Sequence, residues 1–187
     1  MSEPDTSDGA APSRTLIIVA AVLGLGLVAA VVAIGLLGGG SSDDTGTDTA
    51  ANGPLALPGA PAPKADSPAC TTLLDALPDT LESAGEQLSR RELADPAPEG
   101  AAAWGGANPV VLRCGTPKPG DLTTTSKLRQ VNDVQWLPVQ DQASTTWYAV
   151  DRKAYVALTV PADAGTGPLQ EISDIIDAEL TAVPPRP

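Results

Sequence analysis

The sequence predicts an α+β domain in which helices pack on a small, mostly antiparallel sheet of three to five strands, preceded by one transmembrane helix. Three observations predict it: an apolar run of 22 residues near the N-terminus, amphipathic segments with helical spacing, and short alternating segments separated by turns. The connections between the strands are too short for helical crossovers, so neighbouring strands are expected to be antiparallel.

The apolar run covers residues 16–37 and contains no charged or polar side chain. As a helix it would be about 33 Å long, enough to cross the hydrocarbon core of a bilayer. A cleaved signal peptide is the alternative, but its apolar core usually has only about 7 to 15 residues. Arg14 precedes the run, which predicts a cytoplasmic tail at 1–15 and a single-pass protein of the cell membrane whose C-terminal part lies outside.

After the run, residues 38–66 are rich in Gly, Ser, Thr, Ala and Pro, which predicts a flexible linker. Residues 67–187 are then expected to form one compact extracytoplasmic domain. The net charge of the chain is −12, and it contains no histidine. This acidity argues against binding to nucleic acid or to anionic lipid headgroups.

The first domain segment, "SPACTTLLDALP", predicts a helix that begins after Ser67, a good N-cap residue, and carries Cys70, Leu73 and Leu77 on its apolar face. A second helix is predicted in "DTLESAGEQLSRR", where Leu81 and Leu88 share one face. Residues 94–109 are predicted to be a loop. The last helix is predicted in "GPLQEISDIIDAEL", with its apolar face formed by Leu169, Ile172, Ile176 and Leu180.

The predicted strands lie between these helices. In "PVVLRC", Val110 and Cys114 share one face while Arg113 points to the other. A second strand is predicted in "VNDVQWLPV", ending at Pro138. The segments "STTWYAV" and "AYVALTV" flank "DRK", which predicts a hairpin.

The two cysteines, Cys70 and Cys114, both lie on predicted apolar faces. A metal site would need further ligands, a redox pair would usually show C-x-x-C spacing, and a nucleophilic cysteine would need a histidine base. If the domain lies in an oxidising compartment, a structural disulfide between the two is the favoured interpretation.

The stretches "AAAWGGANPVVLRCGTPKPG", "VNDVQWLPV", "WYAVDRKAYVALTVP" and "ISDIIDAEL" resemble the domain-of-unknown-function family 3515 over roughly residues 68–182. The resemblance implies an actinobacterial envelope protein with one N-terminal span, and it also implies that Cys70 pairs with Cys114. The Ala- and Pro-rich composition is typical of such an organism. The resemblance implies no reaction, substrate or cofactor.

Two residues are candidates for binding. Trp104 lies among Gly and Ala residues in the predicted 94–109 loop, where it could contact an envelope protein or stack on a cell-wall glycan. Arg113 could bind an anion or pair with Asp133 or Asp151. Trp136 and Trp147, in contrast, are expected to fill the core.

The sequence contains none of the common catalytic motifs, and without histidine any acid–base chemistry would depend on carboxylates, Lys or Tyr. We therefore expect no catalytic residues, no metal and no cofactor. The predicted function is that of a non-enzymatic binding or support module of the envelope. Two alternatives stay open: a small envelope hydrolase with paired carboxylates, and a structural subunit of a membrane complex. The oligomeric state is not predicted.

Overall fold

The computed structural model describes residues 53–187, which form a six-stranded antiparallel sheet with two helices and a separate hairpin. The order of strands in the sheet is β3-β4-β8-β7-β6-β5. The α+β class is confirmed, but the sheet has six strands instead of three to five. The helices are α1 (Pro68–Ala76) and α2 (Gly167–Glu179), and the strands are β1 (Thr80–Ser83), β2 (Glu86–Ser89), β3 (Ala101–Trp104), β4 (Val110–Thr116), β5 (Arg129–Val131), β6 (Val134–Gln140), β7 (Ser144–Ala149) and β8 (Tyr155–Pro161).

The predicted cytoplasmic tail (1–15) and transmembrane helix (16–37) lie outside the described residues, as does the predicted linker up to residue 52. Among residues 53–187, no helix combines the length and the apolar character that a membrane crossing requires.

One main core lies between the sheet and the layer formed by α1, α2 and the β1-β2 hairpin. The predicted alternation of β4 is confirmed, because Val110, Leu112 and Cys114 are buried while Val111 and Arg113 are half-buried on the other face. Both predicted terminal helices are confirmed as well. Ser67 caps α1 by accepting a hydrogen bond from the Cys70 amide, and the buried face of α2 contains the predicted residues Leu169, Ile172 and Ile176.

The helix predicted for residues 79–91 is wrong, because this segment forms the β1-β2 hairpin. Its two turn residues, Ala84 and Gly85, have φ angles of 50° and 87°. Positive φ at both central residues is typical of the two-residue turns that join antiparallel strands. Leu81 and Leu88 lie directly opposite each other across the hairpin, and Leu81 is fully buried in the main core.

The predicted linker also extends too far, because residues 53–66 are bound to the domain. We call this segment the strap. Leu55 pairs with Leu93 in a parallel bridge, and its amide donates to the Glu92 carbonyl at 2.8 Å. Near the other end of the strap, the Lys64 amide donates to the Gly115 carbonyl at 3.1 Å.

Gly115 makes this close approach possible. It interrupts the β4-β8 register as a bulge between Cys114 and Thr116 and has a φ of 81°. A Cβ atom at Gly115 would lie 2.3 Å from the backbone nitrogen of Ala65, so a larger residue would push the strap away.

The structure also differs from the sequence prediction at the end of strand β6 and in the 94–109 loop. Strand β6 continues through Pro138 to Gln140. The neighbouring β5 pairs only as far as Trp136, so Pro138 lies at the edge of the sheet, where a missing amide hydrogen is tolerated. The predicted 94–109 loop contains strand β3, which pairs with β4.

Candidate functional site

Cys70 and Cys114 form a disulfide that joins α1 to β4. Both residues are fully buried in the main core, and their Cα atoms are 5.5 Å apart. The predicted pairing is therefore confirmed. Because each sulfur is bonded to the other, neither is available in this state as a nucleophile or a metal ligand.

The placement predicted for Trp104 is wrong. Trp104 ends strand β3 and has no exposed surface. Its indole Nε1 donates to the Pro78 carbonyl at 2.9 Å, and the Arg90 guanidinium carbon lies 5.8 Å from the ring centroid. The Gly and Ala residues on both sides of Trp104 suggested an open loop. Instead, Gly105 packs against the hairpin, where an added Cβ atom would lie 3.3 Å from Cδ2 of Leu88. Trp104 is thus a core residue in this structure and offers no surface to a ligand.

Arg113 lies on the half-buried face of β4, as the alternation predicts. Its Nη2 donates to the Pro58 carbonyl at 2.8 Å. It therefore holds the strap instead of pairing with Asp133 or Asp151. A second arginine acts in the same way, since Arg91 donates to the Gly53 carbonyl at the other end of the strap.

The structure reveals a buried charged cluster that sequence reasoning missed. Arg152, in the β7-β8 connection, has no exposed surface. Its Nη1 lies 2.9 Å from a carboxylate oxygen of Asp151, and its Nη2 lies 3.1 Å from one of Asp177 in α2. The same Nη2 donates to the Asp133 carbonyl in the β5-β6 turn. Arg152 therefore joins two turns of the sheet to the final helix.

Asp151 is 3% exposed, and its carboxylate also accepts a hydrogen bond from the Gln135 amide at 3.0 Å. Burial raises the pKa of Asp151 above its ordinary value, and this effect outweighs the opposing influence of the Gln135 amide and the Arg152 guanidinium. No pattern in the sequence marks Arg152 as buried, because a charged residue in a hairpin turn is normally solvated.

The C-terminal tail packs against this cluster. The Val183 amide donates to the Asp151 carbonyl at 2.8 Å, and Nη2 of Arg186 donates to the Arg152 and Lys153 carbonyls at 3.4 and 3.3 Å. The Tyr155 hydroxyl donates to the Arg186 carbonyl. The cluster and the tail thus hold the β7-β8 connection in one conformation.

A cavity of about 580 Å³ lies beside the cluster, and we call it the α1 cavity. The start of α1, the end of α2, the β7-β8 connection and the strap each contribute to its wall. Its charged lining residues are Lys64, Lys153 and Glu179, and Nζ of Lys64 lies 3.5 Å from the Lys153 carbonyl oxygen.

The carboxylates of the buried cluster and of the α1 cavity occupy separate positions. The α1 cavity contains a single carboxylate, and Asp151 and Asp177 are both bound to Arg152 instead of facing each other across a cavity. In the part of the chain that the structure describes, no three side chains of His, Cys, Asp and Glu gather into a possible metal site.

No curated protein and no solved structure matches this chain. A family of proteins of unknown function, DUF3515, matches it over residues 21–185, which is most of the 187-residue sequence. The chain, with its buried cysteine bridge and its antiparallel sheet, belongs to this family.

Proposed function

We propose that the protein is a single-pass membrane protein of an actinobacterial cell envelope, whose domain folds outside the membrane and acts as a non-enzymatic binding or support module. The observation that carries the proposal is the Cys70–Cys114 disulfide. Disulfides form and persist in extracytoplasmic compartments, whereas cytoplasmic thiols are kept reduced. The apolar run at residues 16–37 supports an anchor that precedes such a domain.

Binding is favoured over catalysis by the distribution of charged groups. The raised pKa of Asp151 is the kind of perturbation that can mark an acid catalyst. However, the side chain of Asp151 is enclosed with Arg152, and Asp177 binds the other nitrogen of the same guanidinium. The alternative of a hydrolase with paired carboxylates would instead need two acids that face one substrate, separated by about 5 to 10 Å.

The topology can be tested in cells with a reporter enzyme that works only outside the membrane. A fusion after Pro187, joined by a spacer because Arg186 is bound to the domain, should be active. The matched control is a fusion before Met1, which should be inactive. The protein should also remain with the membrane after a carbonate wash.

A second measurement addresses the oxidation state. Thiol labelling of the denatured, unreduced protein from its native compartment should find no free cysteine, since the structure pairs Cys70 with Cys114. An inactive C-terminal reporter, or two free thiols, would overturn the proposed location. Turnover of an envelope glycan that is abolished by Asp177→Asn would overturn the non-enzymatic role in favour of the hydrolase.

A further inference from the structure

We propose that the α1 cavity binds a small molecule in which an anionic group, a carboxylate or a phosphate, is attached to a short apolar body. The inference rests on the proposed binding function and names the chemical class of the ligand.

The size and the lining of the α1 cavity fit such a molecule. Its volume of about 580 Å³ lies within the range of about 300 to 1,000 Å³ that is typical of small-molecule sites. Pro68 and Ala69 give it an accessible apolar wall. Ala154 and Leu180 also line it, but at 1% and 6% exposure they belong to the main core and support this wall from behind more than they add surface to it.

The charge of the α1 cavity differs from that of the rest of the domain. Residues 53–187 carry 17 acidic and 10 basic side chains, yet two lysines and one glutamate line the cavity. Within those residues, neither Lys64 nor Lys153 lies within 4.0 Å of a carboxylate oxygen. Both ammonium groups can therefore approach an anion without first breaking an internal ion pair.

The backbone positions both lysines. Lys64 is held by the hydrogen bond from its amide to the Gly115 carbonyl, and Lys153 directly follows the buried Arg152. The Ser67 hydroxyl oxygen accepts from the Cys70 amide, which leaves its O–H able to donate into the cavity. The wall thus offers two cations and a hydroxyl donor beside an apolar surface.

A purely structural role for the lysines must be separated from a binding role. The α1 cavity also includes the end of α2, where the helix dipole presents partial negative charge, and lysines can stabilise such an end. In that case, removing a lysine charge would lower thermal stability and leave the affinity for anions unchanged. The test therefore measures affinity and stability on the same variants.

The experiment uses the full chain in a non-ionic detergent and four probes, measured by titration calorimetry. Butyl phosphate and butyrate carry both features of the proposed ligand. Butanol has the apolar body without the charge, and inorganic phosphate has the charge without the apolar body. We expect butyl phosphate or butyrate to bind most tightly, and whichever of them is tighter identifies the anionic group.

The variants then locate the binding. Lys64→Gln and Lys153→Gln should each weaken the tighter probe by about two- to fivefold, the range expected for a partly solvated ion pair. Lys64→Arg and Lys153→Arg should retain the affinity. Glu179→Gln should strengthen binding, because it removes the negative charge from the wall. Lys127→Gln is the matched control, since Lys127 is exposed in the segment between β4 and β5, and it should change nothing.

The inference would be overturned if butanol binds as tightly as the charged probes. It would also be overturned if the affinity for the tighter charged probe is the same in Lys64→Gln, in Lys153→Gln and in the unmodified protein. Absence of binding by all four probes would also overturn it. Each of these outcomes can occur while the C-terminal reporter is active and Cys70 and Cys114 form a disulfide. In that case the proposed location and support role are retained, and only the proposed class of ligand is rejected.

Discussion

Replacing Trp104 tests most directly whether this residue is core or contact surface. Trp104→Ala removes a side chain with no exposed surface, which typically costs about 3 to 5 kcal/mol of folding free energy. Trp104→Phe keeps most of the ring but leaves the Pro78 carbonyl without its indole donor, at a cost of about 1 to 3 kcal/mol. For a domain of this size, the alanine variant should melt about 10 to 20 °C lower than the unmodified protein.

The assay is thermal unfolding of the intact protein in detergent, followed by tryptophan fluorescence. All three tryptophans lie in residues 53–187, so two of them still report on the domain in each variant. The matched control is Trp147→Phe, because Trp147 is only half-buried against the main core and should lose less stability than the Trp104→Phe variant. A loss below about 1 kcal/mol for Trp104→Ala would refute its core position and restore the predicted role of Trp104 as a binding residue in an exposed loop.

Three further outcomes are expected. Replacing both Cys70 and Cys114 with alanine should lower the free energy of unfolding by roughly 4 kcal/mol, since the disulfide closes a loop between residues that are 44 positions apart. An unchanged denaturation midpoint would contradict this expectation. Arg152→Met should lower the free energy of unfolding by about 3 to 5 kcal/mol, because it leaves Asp151 buried without its cation. Adding Asp151→Asn to this variant should restore part of that loss. If the effects of the two substitutions are simply additive in this double-mutant cycle, Arg152 and Asp151 are not coupled. Because burial raises the pKa of Asp151, its contribution to stability is largest below the ordinary pKa of 3.8 and is lost as the pH rises through the folded-state pKa. Asp151→Asn should therefore gain stability relative to the unmodified protein as the pH rises above about 4, and a pH-independent difference would argue against the raised pKa.

Amphipathic periodicity was sufficient to predict α1, α2, β4 and the β7-β8 hairpin, because each of these elements buries one face against the same core. It failed for the β1-β2 hairpin for a specific reason. Leu81 and Leu88 are seven residues apart, a spacing that matches two turns of a helix and also matches opposite positions in a hairpin with a two-residue turn. The positive φ angles at Ala84 and Gly85 are compatible with the hairpin and not with a helix. Of these two angles, only that of Gly85 could have been anticipated from the sequence, because glycine adopts positive φ without steric cost.

The candidate site was less predictable than the fold. The apolar faces of Cys70 and Cys114 allowed the disulfide to be predicted. The α1 cavity depends on four separate segments, and Lys64 lies 89 residues from Lys153 in sequence. Such long-range proximity leaves no local pattern. The burial of Arg152 and the docking of the strap depend equally on contacts between distant segments, so neither could be derived from one sequence.

The strap also shortens the chain that would connect the domain to the proposed anchor. If residues 16–37 cross the bilayer as proposed, the connecting chain is not the 29 residues of 38–66 but the 15 residues of 38–52. At about 3.3 to 3.6 Å per residue, its greatest possible span falls from roughly 100 Å to roughly 50 Å. The volume that the domain can sweep above the membrane then shrinks to about a seventh or an eighth, because volume follows the cube of the radius. A partner fixed deep in the cell wall would be out of reach, and a partner in or next to the lipid bilayer would be met at high local concentration.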